Sequence, residues 1–296
     1  MERKSKTQQG RLFQKFINCH TNSNFTTIAR KRNKPRSGFY EFLWFLLFCA
    51  LLLVIFARYG KQIEHYVKKL LRSEQNDRRS RNLTDFGIYI PRQYQVHGID
   101  ISHYQQDIDW EDLSSMNING ISFQFVYIKA TEGDSHRDRL FAANWQSAKE
   151  YGLIRGAYHF YQPDIKSDFQ ADHFISTVQL ETGDLPPVLD IEITGSYSVE
   201  NLRKGLKNWL RIVKAHYKIK PIIYTNLNYY RKYLAGHFSE YKFWIAQYER
   251  SETNLPDHKW YFWQYSNQGK ANGIAGLVDF NAFQGNLEEL KAICIP

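Results

Sequence analysis

Cysteine and methionine are nearly absent from this chain, with three and two residues respectively. Cys19 and Cys49 fall in the first third and only Cys294 in the remainder, so residues 96–296 cannot hold an internal disulfide. A disulfide scaffold, a Cys-rich zinc site and a CxxC redox pair are thereby excluded. Acidic residues are scarce at the N-terminus. Residues 1–95 carry 19 Lys+Arg against 6 Asp+Glu, whereas residues 96–296 carry 20 against 24. The formal net charge of +9 therefore belongs entirely to the N-terminal third. The remainder is mildly acidic and lacks the concentrated basic face that phosphate-backbone binding needs, so no nucleic-acid partner is expected. What is plentiful is apolar and aromatic: 43% of residues are hydrophobic and 16% aromatic, ample for a sizeable core.

The basic third is built around FYEFLWFLLFCALLLVIFARYGK, where Phe42 to Ala57 form an uninterrupted apolar run. With Phe39 and Tyr40 the stretch approaches the ~20 residues needed to cross ~30 Å of hydrocarbon. A transmembrane helix over 39–57 is expected, between a basic tail (1–38) and a basic connector and linker (58–95). The leader before it is too long for a cleaved signal peptide. The Lys/Arg excess of the N-terminal tail favours a single-pass orientation with the N-terminus cytoplasmic and the large domain on the outer side. The sequons Asn82-Leu-Thr84 and Asn24-Phe-Thr26 serve opposite topologies and do not arbitrate. In the connector, Ile63, Val67, Leu70 and Leu71 recur at helical spacing among lysines and Arg72, a pattern suited to an anionic lipid surface or to a solvated helix extension.

From Val96 onward, short β-rich apolar runs end repeatedly in polar or ionisable residues: VHGIDISHY, FVYIKATEG, IRGAYHFY, PPVLDIE, KPIIYTN, KFWIAQY, KWYFWQYS and LVDFNAF. Helical segments separate the early runs. The longest places Leu202, Leu206, Trp209 and Val213 on one face, with Ser198 as its N-cap. Strands alternating with helices argue for parallel βα units. Between the last three runs only about ten residues remain, too few for crossover helices. The pattern predicts an α/β fold: a shortened TIM-like barrel over residues 96–296, with five βα units followed by three β strands, preceded by one transmembrane helix.

In such barrels chemistry gathers where the strands open at one mouth. Asp100, Asp190, Glu192 and Asp279 would converge there, with Lys129, Glu132, Tyr158, His159, Tyr224, Asn226, Gln247, Tyr248 and Gln264 at the other strand ends. On a strand, Asp190 and Glu192 would share a face about 6 to 7 Å apart. Crowded, partly buried carboxylates raise one another's pKa, and an acid kept protonated beside ionised neighbours is what a glycosidase uses on a leaving-group oxygen. An Asp or Glu at a single strand end is more often a helix cap; four at equivalent ends are harder to explain structurally.

These eight runs, in order and with compatible spacing from Val96 to Ile293, resemble the family 25 glycoside hydrolases, the N-acetylmuramidase lysozymes. The resemblance implies cleavage of the β-1,4 bond between N-acetylmuramic acid and N-acetylglucosamine in peptidoglycan, without metal or other cofactor. It also implies Glu192 as general acid/base, Asp190 as the acid that orients the 2-acetamido group, and Asp100 and Asp279 as the remaining acids of the cleft. Net retention with acetamido participation follows from the same likeness. Tyr158, Tyr224, Trp244, Gln247 and Gln264 fall where the family contacts sugar.

Two other readings were weighed. A metal-dependent phosphoesterase could use four carboxylates, but His97, His103 and His159 are the only histidine candidates beside them. Full activity in a chelator would speak against it. A non-catalytic wall-binding module would lack Glu192, and Glu192 is present.

Overall fold

The computed structural model describes residues 40, 42–48, 86–117, 120–248 and 260–296. Tyr40 and Phe42–Phe48 are helical with exposed side chains. Among the described residues no helix is long and apolar enough to cross a membrane. The rest of the expected span 39–57, the tail 1–38 and the connector 58–85 lie outside the described residues.

The C-terminal part is an eight-stranded barrel. In chain order the strands are β1 (Val96–Ile101), β2 (Phe123–Glu132), the two-residue β3 (His136–Arg137) paired only to the end of β2, β4 (Ile154–Phe160), β5 (Val188–Asp190), β6 (Ile222–Asn226), β7 (Phe243–Ala246), β8 (Trp260–Gly269) and β9 (Val278–Phe283). Around the barrel the order is β1, β2, β4, β5, β6, β7, β8, β9 and back to β1. Neighbours from β1 to β8 are parallel, and β9 runs antiparallel to both β8 and β1.

Helices follow the early strands, as the alternating pattern requires: α1 (Trp110–Ser115), α2 (Phe141–Glu150), α3 (Ser167–Thr177) and α4 (Val199–Tyr217). After β6 the chain makes only a helical turn (Leu227–Tyr229) and a π-helical turn (Tyr230–Leu234) before β7. A short α5 (Leu287–Ala292) follows β9. In α4, Leu202, Leu206, Trp209, Leu210 and Val213 are buried, and the Ser198 side chain accepts from the Asn201 amide at 3.3 Å. The opposite face, with Lys204, Lys207, Arg211 and Lys214, meets solvent. Burying the apolar stripe against the barrel wall is what stabilises a helix of this composition.

Two apolar cores result. One lies between the barrel wall and the helices and contains Ile99, Ile128, Leu189, Trp209 and Phe280. It reaches back to Phe86 and Ile90, which the sequence reading placed in the linker. Phe86 packs edge-on against Phe280 at 5.4 Å, and its carbonyl accepts from the Lys270 amide. The other core fills the barrel: Phe125, Tyr127, Trp244 and Phe262, with Tyr127 stacked on Trp244 at 4.9 Å and edge-on to Phe262 at 5.4 Å. This aromatic layer forms the floor beneath the mouth.

Ring size forces glycine at one wall position. A Cβ on Gly156 of β4 would lie within 2.6 Å of Tyr127 Cδ1 and 3.0 Å of Leu185 Cβ. Gly156→Ala is therefore expected to destabilise the domain by ~1–3 kcal/mol through overpacking. Thermal denaturation of the variant beside the parent checks this, and an unchanged midpoint would contradict the tight ring packing.

Candidate active site

Each acid reaches the mouth by a different route. Asp100 is the penultimate residue of β1 and Asp190 the last of β5. Glu192 was expected to share a strand face with Asp190, but β5 ends at Asp190, so Glu192 stands on the loop just beyond. Asp279 differs more. It is the second residue of β9, and it reaches the mouth because β9 runs in reverse, pairing it directly with Asp100. A strand end was the right address, though here it is the beginning of the strand.

These four acids line one cleft of about 100 Å³ together with Tyr158, Tyr224, Trp244 and Gln264. Gln247, also expected at the sugar site, is not among the lining residues. Its backbone amide donates to the Gln264 carbonyl, and its own carbonyl accepts from Trp263 Nε1 at 2.8 Å. Asn226 caps the turn after β6 through the Tyr229 amide at 2.9 Å. His159 lies wholly inside the wall, bonded to Thr131 Oγ1 and Gln170 Oε1 and stacked on Trp209, and burial lowers its pKa to about 3. His97 is likewise buried, its pKa lowered to about 4, with partners Tyr94 and Tyr265. His103 is fixed by Asp138 at 2.8 Å. These three histidines are structural, and among the described residues no group of three or more His, Cys, Asp and Glu is arranged to hold a metal ion.

A hydrogen-bond network organises the acids. One oxygen of Asp100, Oδ2, accepts from Asn281 Nδ2 at 2.7 Å and from Gln264 Nε2 at 2.9 Å. Gln264 Oε1 in turn accepts from the hydroxyls of Tyr224 (2.8 Å) and Tyr248 (2.7 Å), and Asn281 Oδ1 accepts from Trp244 Nε1 at 2.8 Å. Both amides thus have fixed orientation, with only their N–H groups left for Asp100. Asn281 was not singled out in the sequence. It is two residues after Asp279 on the same strand, and period-two alternation puts both on one face.

Burial raises the pKa of all four acids, with different counterweights. Asp100 goes to about 6, the Asn281 and Gln264 donors holding it down. Asp279 rises further, first by burial and then by the Asp100 charge beside it, so the pair keeps a proton on Asp279 and the charge on Asp100. Asp190 is pushed well up by burial and then by Glu192, and its Oδ1 is buried with no hydrogen-bond partner. Glu192 is the acid solvent reaches most freely, yet enough protein surrounds its carboxyl that burial, and then Asp100, raise it. Lys129 is the opposing cation. Buried at the end of β2 and 2.7 Å from Glu132, it lowers both Asp190 and Glu192. The cleft can therefore hold a protonated carboxyl at its mouth over a fixed carboxylate, which suits proton donation to a leaving group.

Comparison with known proteins gives a consistent picture. The profile of "Glycosyl hydrolases family 25" matches residues 99–274, ending just before Asp279 and Asn281. "Lysozyme M1" of Streptomyces globisporus is 35% identical over 215 residues, 67% of this chain and 71% of that protein. "Uncharacterized protein YegX" of Escherichia coli K12 is 45% identical over 212 residues, 72% and 78% of the two chains. Among solved structures, a family 25 glycosyl hydrolase from Bacillus anthracis superposes with a TM-score of 0.62 at 32% identity, covering 70% of this chain and 96% of that one.

Removing one donor from Asp100 should be visible in the pH dependence. Asn281→Ala takes away a hydrogen bond that lowers the Asp100 pKa, so its carboxylate ionises later as pH rises. The acidic limb of the activity profile is expected to move up by about one pH unit, the scale of one lost bond to a charged group. A profile superimposable on the parent's would mean that Asp100 ionisation does not limit activity.

Proposed function

Since the chain belongs to family 25 of the glycosyl hydrolases and is a glycoside hydrolase of the lysozyme type, we propose that it cleaves peptidoglycan. The bond is the β-1,4 linkage between N-acetylmuramic acid and N-acetylglucosamine. The observation that carries this reading is Glu192: a solvent-reached carboxyl whose pKa is raised by burial, set beside three further acids in a cleft floored by aromatic rings.

In this reading Glu192 gives its proton to the glycosidic oxygen as the bond to the anomeric carbon breaks. Positive charge developing on the sugar is met by the Asp100 carboxylate, held by Asn281 and Gln264. The acetamido oxygen of the same sugar then closes on the anomeric carbon. Its N–H gains acidity in that step and finds the unpartnered Oδ1 of Asp190. Water deprotonated by Glu192 opens the ring from the side that restores the original configuration. Tyr158, Tyr224, Trp244 and Gln264 contact the sugar.

The anchor belongs to the same reading. The apolar stretch 39–57 spans a membrane once, with the N-terminus cytoplasmic and the hydrolase on the outer side; its support is the uninterrupted run Phe42 to Ala57 and the basic tail before it.

Glu192→Gln is expected to lower release of reducing ends from purified peptidoglycan by ~10²–10⁴-fold without loss of folding. Activity equal to the parent's would overturn the assignment. Product released as the β-anomer first supports retention; the α-anomer would rule out acetamido participation. For the anchor, protease added outside intact cells should digest the hydrolase and spare residues 1–38, and digestion of the tail alone would reverse the topology.

A further inference from the structure

Glu192 is held by no side-chain hydrogen bond. Among the described residues none donates to its carboxyl, and it lies two residues past the end of the β5 pairing, on a loop that also exposes Ile193 and Tyr197. A proton donor must still be held within a fraction of an ångström of its target. Its position must then be set through the backbone.

The backbone is pinned at the residues on either side of Glu192. Ile191, just before it, donates its amide to the Tyr224 carbonyl at 3.0 Å, and its carbonyl accepts from the Thr225 hydroxyl at 2.6 Å. Ile193, just after it, offers its carbonyl to the Tyr229 hydroxyl at 2.8 Å. Thr225 is fully buried in β6 and Tyr229 nearly so. Neither residue lines the cleft.

The segment that carries them is itself braced. Asn226 caps the turn through the Tyr229 amide, the Tyr229 ring packs on Tyr233 at 4.7 Å, and the π turn closes from the Ala235 amide to the Tyr230 carbonyl. Arg203 of α4 donates to the Tyr233 carbonyl at 2.7 Å. Further along the loop, the Ser196 amide and hydroxyl both bond Asp164 Oδ1, at 2.8 and 2.7 Å. A π turn costs regular helix geometry, and here it sits directly behind the hydroxyl that reaches the loop.

We infer that Thr225 and Tyr229 are positioning residues that aim Glu192 into the cleft by clamping the carbonyls of Ile191 and Ile193. The inference rests on the reading of Glu192 as the general acid. Loss of the Thr225 hydroxyl frees the peptide plane that joins Ile191 to Glu192, and loss of the Tyr229 hydroxyl frees the carbonyl of the following residue, Ile193. The carboxyl then spends less time in reach of the glycosidic oxygen, while the sugar contacts on the other strands are untouched.

Full-length enzyme acting on soluble, uncross-linked glycan strands tests this. Tyr229→Phe and Thr225→Val are each expected to lower kcat about 10-fold or more, within the ~10²-fold that a 1 Å misplacement can cost, and to leave KM within about twofold. Thr225→Ser, which keeps the hydroxyl, restores most of kcat. The alkaline limb of the kcat profile moves to lower pH in Tyr229→Phe, since a less confined Glu192 is better solvated and ionises earlier. Parental kcat in both variants, or a fall in kcat without rescue by Thr225→Ser, would overturn the clamp. Tyr229→Phe serves as the folding-neutral arm should Thr225→Val fail to accumulate. Glu192→Gln in the same assay separates the two claims: if it is active the acid assignment fails, and if it is inactive while both hydroxyl variants match the parent, only the clamp fails.

Discussion

Four carboxyls share one cleft, and burial raises the pKa of each. That constraint shapes the barrel mouth. Desolvation pushes every member upward and repulsion adds to it at Asp190, Glu192 and Asp279, and the protein opposes them selectively: two oriented amides at Asp100 and one buried lysine felt by Asp190 and Glu192. The result is a division of states within one cluster. Asp100 is held charged, Asp279 holds the proton against it, and Glu192 has its pKa raised where solvent and substrate can reach it. Without Asn281 and Gln264 the charge would have no preferred seat.

The fold supplies this arrangement by closing the sheet with a reversed strand. A parallel β9 would bring its last residues to the mouth, apolar Ala282 and Phe283; reversal brings Asp279 to Asp100 instead. The rings of Tyr127, Trp244 and Phe262 beneath complete the setting. They exclude water from below, which strengthens every interaction among the acids, and Trp244 also orients Asn281. Packing and electrostatics are here the same residues viewed from two sides.

Much of this was legible in the sequence because it is periodic or local. The eight apolar runs, the buried stripe of α4 and its Ser198 cap are patterns of spacing, and all are present in the barrel. Asp100, Asp190, Glu192 and Asp279 stand out because acids are unusual next to apolar runs. What was not legible depends on relations between distant segments. Asn281 matters only because β9 lies beside β1, a contact between the first and last barrel strands. Phe86 looks like linker until its neighbours Phe123 and Phe280 are known. Gln247 sits at the end of a run like the others, yet it is not among the residues that line the cleft.

The hairpin of β8 and β9 bears on the order in which the molecule becomes active during synthesis. Gln264 and Asn281 lie 164 and 181 residues after the Asp100 they bond, which is on the first barrel strand. Asp100 and Glu192 emerge from the ribosome long before the groups that sort their protons. A chain whose last barrel strand has not yet docked against the first therefore carries its acids as an inert set, and hydrolytic competence waits on barrel closure.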